Sequence, residues 1–132
     1  MFNSALPRDT PVLPPLNGRR VLVVEDEYVL ADDLRAELEA RGAKVIGPVA
    51  TLLDGLNIVQ QGPVPDLAIL DINLQGEMVY PLADVLRELG VPFLFATGYD
   101  AQAIPVRYAD VPRAEKPVEL ARWQEIATKR TA

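Results

Sequence analysis

Residues able to do acid, metal or phosphate chemistry stand at four places in the chain, each directly after a short run expected to form a strand, three of them apolar. Glu25-Asp26 follows Val21-Leu22-Val23-Val24, Asp71 follows Leu67-Ala68-Ile69-Leu70, Thr97-Gly98 follows Phe93-Leu94-Phe95-Ala96, and Lys116-Pro117 follows Arg113-Ala114-Glu115. Carboxylates from Glu25, Asp26 and Asp71 crowded together would repel one another and lift at least one pKa. A hard divalent cation removes that repulsion, and Mg²⁺ (or Mn²⁺) favours a few carboxylate oxygens plus water and phosphate oxygens. Lys116 adds a compact positive charge for a phosphate oxygen or for the Asp71 carboxylate. Thr97 adds one hydroxyl suited to an arriving phosphate oxygen, and Gly98 leaves that group room. Carboxylate, cation, hydroxyl and ammonium are what phosphoryl transfer onto a carboxylate requires.

Each residue alone has a plainer role. An acidic pair after a strand can simply favour a helix N-terminus, a strand-ending Asp can be a turn residue, and Thr-Gly and Lys-Pro can be ordinary strand exits. Their joint placement is what points to chemistry. In a doubly wound parallel sheet the carboxyl ends of the strands share one edge, where ligands bind, so residues remote in sequence become neighbours there.

The composition narrows the chemistry. Among 132 residues there is no cysteine and no histidine. Thiolate catalysis, disulfide stapling, Ser-His and Cys-His nucleophiles and histidine-based zinc sites are excluded. The net charge of −6 argues against nucleic-acid binding, which wants a basic face, and suits a protein holding a cation. No apolar run reaches membrane-spanning length and the first residues lack a signal-peptide layout, which leads to a cytoplasmic expectation with no membrane partner.

The pattern supplies the elements that must position these residues. Residues 1–18, with Pro7, Pro11, Pro14 and Pro15, form a proline-rich N-terminal extension. Residues 19–132 form one domain. Strands are expected at 20–24, a short apolar run rich in β-branched residues, and at 44–47, 66–70, 91–96 and the short stretch 113–115. Leu30, Leu34 and Leu38 predict a helix over 27–41 ended by Gly42. Thr51 predicts a cap for a helix that Gly62-Pro63 closes. A third helix carries Pro81 in its first turn, a short weak one covers 99–108, and a last one spans 118–128. Strands alternating with helices imply a five-stranded parallel α/β sheet covered on both faces.

Taken together, Val21 to Glu27, Asp66 to Asp71, Phe95-Ala96-Thr97-Gly98 and Lys116-Pro117 resemble the receiver domains of two-component response regulators over about residues 19–129. The resemblance implies a flavodoxin-like fold with strand order 2-1-3-4-5. It implies that Asp71 is the phosphoacceptor, that Asp26 binds Mg²⁺ directly with Glu25 helping, and that the backbone carbonyl of Asn73 completes the protein ligands. Thr97 would bond the phosphoryl oxygen and Lys116 would neutralise charge, next to a Lys116-Pro117 bond often cis in the family. The side chains of Asn73 and Tyr99 would flank the site and tune loss of the phosphoryl group. Such a domain assists its own phosphorylation and dephosphorylation without being an enzyme in the ordinary sense.

Two departures bear on switching. Receivers usually carry an aromatic residue three places before the lysine, and Arg113 stands there. The segment between Thr97 and Lys116 is short and holds Pro105 and Pro112. With Phe95-Ala96-Thr97-Gly98-Tyr99, these features resemble the FAT GUY subgroup, whose members are often stand-alone receivers or pieces of hybrid kinases in phosphorelays with HWE-type histidine kinases. The implied partners are a histidine kinase or phosphotransferase and an unidentified downstream protein. Thr97 is expected to move toward a phosphorylated Asp71 and to shift residues 98–111. With nothing after Ala132 that could form an output domain, output is expected through a protein contact or a phosphoryl relay. The alternatives are a phosphorylation-independent binding module of the same fold and the receiver piece of a hybrid histidine kinase. A haloacid-dehalogenase-like phosphatase is disfavoured by Asn73, where a general acid would stand, and a flavodoxin by the acidic cluster after the first strand.

Overall fold

The computed structural model describes residues 15–98 and 104–120. The main sheet has five parallel strands, β1 (Arg20–Val24), β2 (Lys44–Val49), β3 (Leu67–Asp71), β4 (Phe93–Thr97) and β5 (Arg113–Glu115), in the spatial order 2-1-3-4-5. Helices α1 (Tyr28–Ala40), α2 (Leu52–Gln61) and α3 (Tyr80–Glu88) connect them. A two-residue antiparallel ladder, Asn73–Leu74 with Glu77–Met78, sits between β3 and α3, and a single 3₁₀ turn, Val106–Tyr108, precedes β5. The expected flavodoxin-like arrangement is therefore present.

Successive strand side chains alternate between two buried clusters. Leu22, Val24, Ala68, Leu70, Phe93 and Phe95 pack with α2 and α3. Val21, Val23, Leu67, Ile69, Leu94 and Ala96 pack with Leu38 of α1, with Leu120, and with Leu16. This double burial explains why the central strands read as unbroken apolar runs. No helix among the described residues is long and apolar enough to cross a membrane.

Element limits differ from the sequence reading where backbone chemistry misleads. Strand β2 runs on to Val49 through Gly47-Pro48, residues that ordinarily interrupt a strand. As an edge strand it tolerates a proline with no N–H to donate, and its register against β1 shifts between Leu22 and Val24. Thr51 caps α2 as expected, its Oγ1 accepting from the Asp54 N–H at 3.1 Å. The weak helix expected over 99–108 is only the Val106–Tyr108 turn where it is described, with Pro105 at its start; residues 99–103 lie outside the described residues. Helix appears at Leu120, with 118 and 119 still irregular, and the rest of the last expected helix also lies outside.

Candidate functional site

The carboxyl ends of β1, β3, β4 and β5 deliver Glu25-Asp26, Asp71, Thr97 and Lys116 to one edge of the sheet. The Glu25 N–H donates to the Val49 carbonyl at 2.9 Å, fixing the end of β1 against β2. Its carboxylate, almost fully buried, accepts from the Glu27 N–H at 3.0 Å and so closes the turn into α1. Asp71 and Thr97 are equally buried. The Lys116 N–H donates to the Thr97 carbonyl at 2.8 Å, which holds the exit of β5 beside that of β4. The Lys116-Pro117 peptide is cis.

The lysine is the electrostatic centre. Its Nζ lies 2.9 Å from Glu25 Oε1 and 3.1 Å from Asp71 Oδ2. One carboxylate oxygen each from Glu25, Asp26 and Asp71 falls within a mutual 4.8 Å. Burial, the neighbouring Asp26 carboxyl and the Glu25 charge push Asp71 up to about 7, against the lowering pull of Lys116. Burial opposes the charge on Lys116, but its bonds to Glu25 and Asp71 outweigh that and raise its pKa. Among the described residues, one cation thus serves two of three crowded carboxylates and leaves the cluster short of positive charge, the donor set that suits a hard divalent ion.

An open cavity of about 370 Å³ lies over the cluster, lined by Asp26, Asp71, Asn73, Thr97, Gly98 and Lys116 with backbone and side chains of the adjoining loops. At about 30 Å³ per water it has room for a hydrated cation and a phosphoryl group together. Glu25 is absent from its wall. The predicted residues therefore divide: Asp26 and Asp71 face the open space, while Glu25 stands behind them on Lys116. Pro117 lines a smaller neighbouring cleft.

The chain as a whole is similar to known proteins. SdrG from Sphingomonas melonis Fr1 is 34% identical, with 89% of this chain and 97% of that one superposed at a TM-score of 0.72. The BeF3-activated conformation of SdrG from Pseudomonas melonis Fr1 is 32% identical over 86% of this chain and 96% of that one, with a TM-score of 0.68. The phyllosphere-induced regulator PhyR of Methylorubrum extorquens is 31% identical over 104 residues, 77% of this chain and 37% of PhyR. The chain belongs to the receiver domains of response regulators. It spans only about 35% to 47% of the length of the curated relatives it matches. No family model matches the sequence.

Within this receiver, Asn73 is not simply a free side chain at the rim. Its Oδ1 accepts from the Gly76 N–H at 2.6 Å, an Asx-type turn that puts Gln75 (φ 56°) and Gly76 (φ 95°) into the cavity wall. The sequence reading missed both; Asn followed three residues later by Gly was the available signal. Glu27 also lines the cavity. Tyr99 lies outside the described residues. Arg113 is exposed, in register with Phe95 on β4, and is not part of the cavity wall.

Proposed function

We propose that this receiver accepts a phosphoryl group on Asp71 from a phosphohistidine of a histidine kinase or phosphotransferase, and passes the signal on through protein contacts. The observation that carries the reading is the Lys116 ammonium shared between Glu25 and Asp71 beneath a cavity that also receives Asp26 and Thr97. An Asp71 carboxylate oxygen attacks phosphorus, the P–N bond to the donor imidazole breaks, and its electron pair leaves with the ring nitrogen. Lys116 moves from Asp71 onto a phosphoryl oxygen without losing Glu25, whose buried carboxylate keeps the ammonium in place. The Thr97 hydroxyl donates to a second phosphoryl oxygen.

Asp26 and Asp71, with Glu25 behind them and the Asn73 carbonyl beside them, would hold Mg²⁺ or Mn²⁺. The ion, when bound, supplies the positive charge that offsets the carboxylates and the incoming phosphoryl oxygens. The likeness to SdrG, a protein with a BeF3-activated conformation, supports this reading. Phe95-Ala96-Thr97-Gly98-Tyr99 and Arg113 support placement in the FAT GUY subgroup, with an HWE-type kinase as donor and work as a stand-alone regulator or relay component.

The test is intact mass after incubation with acetyl phosphate and Mg²⁺. Wild type should gain one phosphoryl group, and Asp71→Asn or removal of the metal should abolish the gain. Wild type left unlabelled by both acetyl phosphate and a phosphorylated histidine kinase would instead favour a phosphorylation-independent binding module.

A further inference from the structure

The usual aromatic place before the lysine holds the exposed Arg113, yet an aromatic path does leave the site by another route. Thr97 and Phe95 are two residues apart on β4 and share one face of the sheet. The Phe95 ring meets Tyr108 edge-on, with centroids 5.8 Å apart and planes at 85°. Tyr80 stacks on Tyr108 at 5.2 Å and 16°, and also meets Phe95 edge-on at 6.1 Å. Tyr108 is fully buried. Its hydroxyl donates to the Asp84 carboxylate and faces the Tyr80 carbonyl at 3.0 Å. On the outside, the Arg107 guanidinium lies 4.5 Å over the Tyr108 ring and 3.3 Å from Asp84. Arg87 donates to the Arg107 carbonyl at 2.7 Å and to Asp110 at 3.0 Å.

The triad therefore touches both halves of the site. Phe95 leads along β4 to Thr97. Tyr80 opens α3, whose preceding Val79 N–H donates to the Ile72 carbonyl at 2.9 Å, one residue past Asp71. At the far end the Tyr108 hydroxyl on Asp84 is the buried member of a set of contacts, with the Arg107–Asp84 pair and the Arg87 bonds to the Arg107 carbonyl and Asp110 outside it, that ties residues 106–110 to α3. A hydroxyl buried against a carboxylate is a two-position contact, made or lost, and packed rings transmit displacement without absorbing it.

We propose that Tyr108 and Asp84 form a latch coupling the phosphorylation site to the surface of α3 and residues 104–111, taking over the coupling that Arg113 cannot provide. The proposal rests on phosphorylation of Asp71 as read above. When Thr97 is drawn toward the phosphoryl group, Phe95 shifts against Tyr108, the Tyr108 hydroxyl leaves Asp84, and residues 104–111 loosen from α3.

The experiment combines intact mass with amide exchange of peptides covering 104–111, before and after acetyl phosphate and Mg²⁺, for wild type, Tyr108→Phe and Asp84→Ala. Phe keeps the ring. Ala at the half-exposed Asp84 removes the acceptor from the surface side, so it carries the comparison if Tyr108→Phe folds poorly. Exchange in wild type should rise about tenfold on phosphorylation, the size expected for one lost charge-assisted hydrogen bond. Both variants should take up the phosphoryl group at close to the wild-type rate, exchange about tenfold faster beforehand, and change less than twofold on phosphorylation. Labelled variants that keep the wild-type response, or a labelled wild type with no response at 104–111, would overturn the latch and leave the functional reading standing. A wild type that takes up no phosphoryl group would overturn that reading and the latch with it.

Discussion

At the scale of single residues, the shared lysine decides how the site answers to pH and substitution. The native protein holds the Asp71 proton up to about 7, against a carboxyl's ordinary 3.8. The folded chain thus binds a proton that the unfolded chain has released between those values. The sign follows from linkage: the favourable contribution is complete below pH 4 and lost as pH rises through 7. Asp71→Asn, neutral throughout, should therefore be more stable than metal-free wild type at pH 8, by something of order 2–4 kcal/mol, and nearly equal to it at pH 4. Urea midpoints at the two pH values test this, and a variant no more stable at pH 8 would mean that the three carboxylates do not crowd one another. Lys116→Met takes away the cation that Glu25 and Asp71 share. The Asp71 carboxyl should then titrate higher still, visible by carbon NMR of the labelled side chain, and acetyl phosphate labelling should slow by about 10²-fold. Unchanged labelling would mean that the ammonium stabilises the fold without assisting the transfer.

At the scale of elements, the sequence disclosed the strands buried on both faces, β1, β3 and β4, because unbroken apolar runs of four or five residues are too short for a buried helix and fit a doubly covered strand. It disclosed less where the chain leaves the sheet. Strand β2 read as ending at Gly47-Pro48 because a run of residues does not reveal that it lies at an edge, where such residues are tolerated. The Asn73 turn was hidden for a related reason: a side chain that looks available for chemistry is equally fit to hold its own backbone. Gly47 makes the cost of the β2 geometry measurable. It has φ +92°, and a Cβ there would stand 2.8 Å from the Val49 nitrogen and 3.1 Å from the Val23 carbonyl oxygen, both backbone atoms. Gly47→Ala should cost about 2 kcal/mol or more. Since the Val49 carbonyl receives the Glu25 N–H, the substitution should also weaken Mg²⁺ binding, read by titration under conditions where the variant is still folded. A variant with wild-type urea midpoint and metal affinity would show that β2 can relax without disturbing the site.

At the scale of the whole molecule, the convergence of four strand ends was legible because topology alone brings them together, whereas the packing of residues just before β1 was not. Four prolines make residues 1–18 read as an extension, since proline content predicts extended backbone but does not tell which intervening side chain packs. Leu16 lies in this stretch and is fully buried in the cluster that holds Val21, Leu38 and Ala43. Its carbonyl accepts from the Arg19 N–H at 3.0 Å, and the Gly18 N–H reaches the Gly42 carbonyl at 2.8 Å. If this plug belongs to the folding unit, Leu16→Ala should lose about 2–5 kcal/mol, the transfer energy of the removed carbons plus the cavity left behind. That is a large part of the roughly 5–15 kcal/mol typical of a whole domain. A side chain on a loosely docked arm would cost almost nothing. The plug sits before the first residue of β1 and the acidic cluster after its last, roughly 16 Å along the strand at about 3.3 Å per residue. Leu16→Ala should accordingly unfold at lower urea while, below its transition, it takes up the phosphoryl group as fast as wild type. A loss of stability below about 0.5 kcal/mol would return Leu16 to the extension, and slowed labelling in the folded variant would mean that strain at the bottom of β1 reaches Glu25 and Asp26.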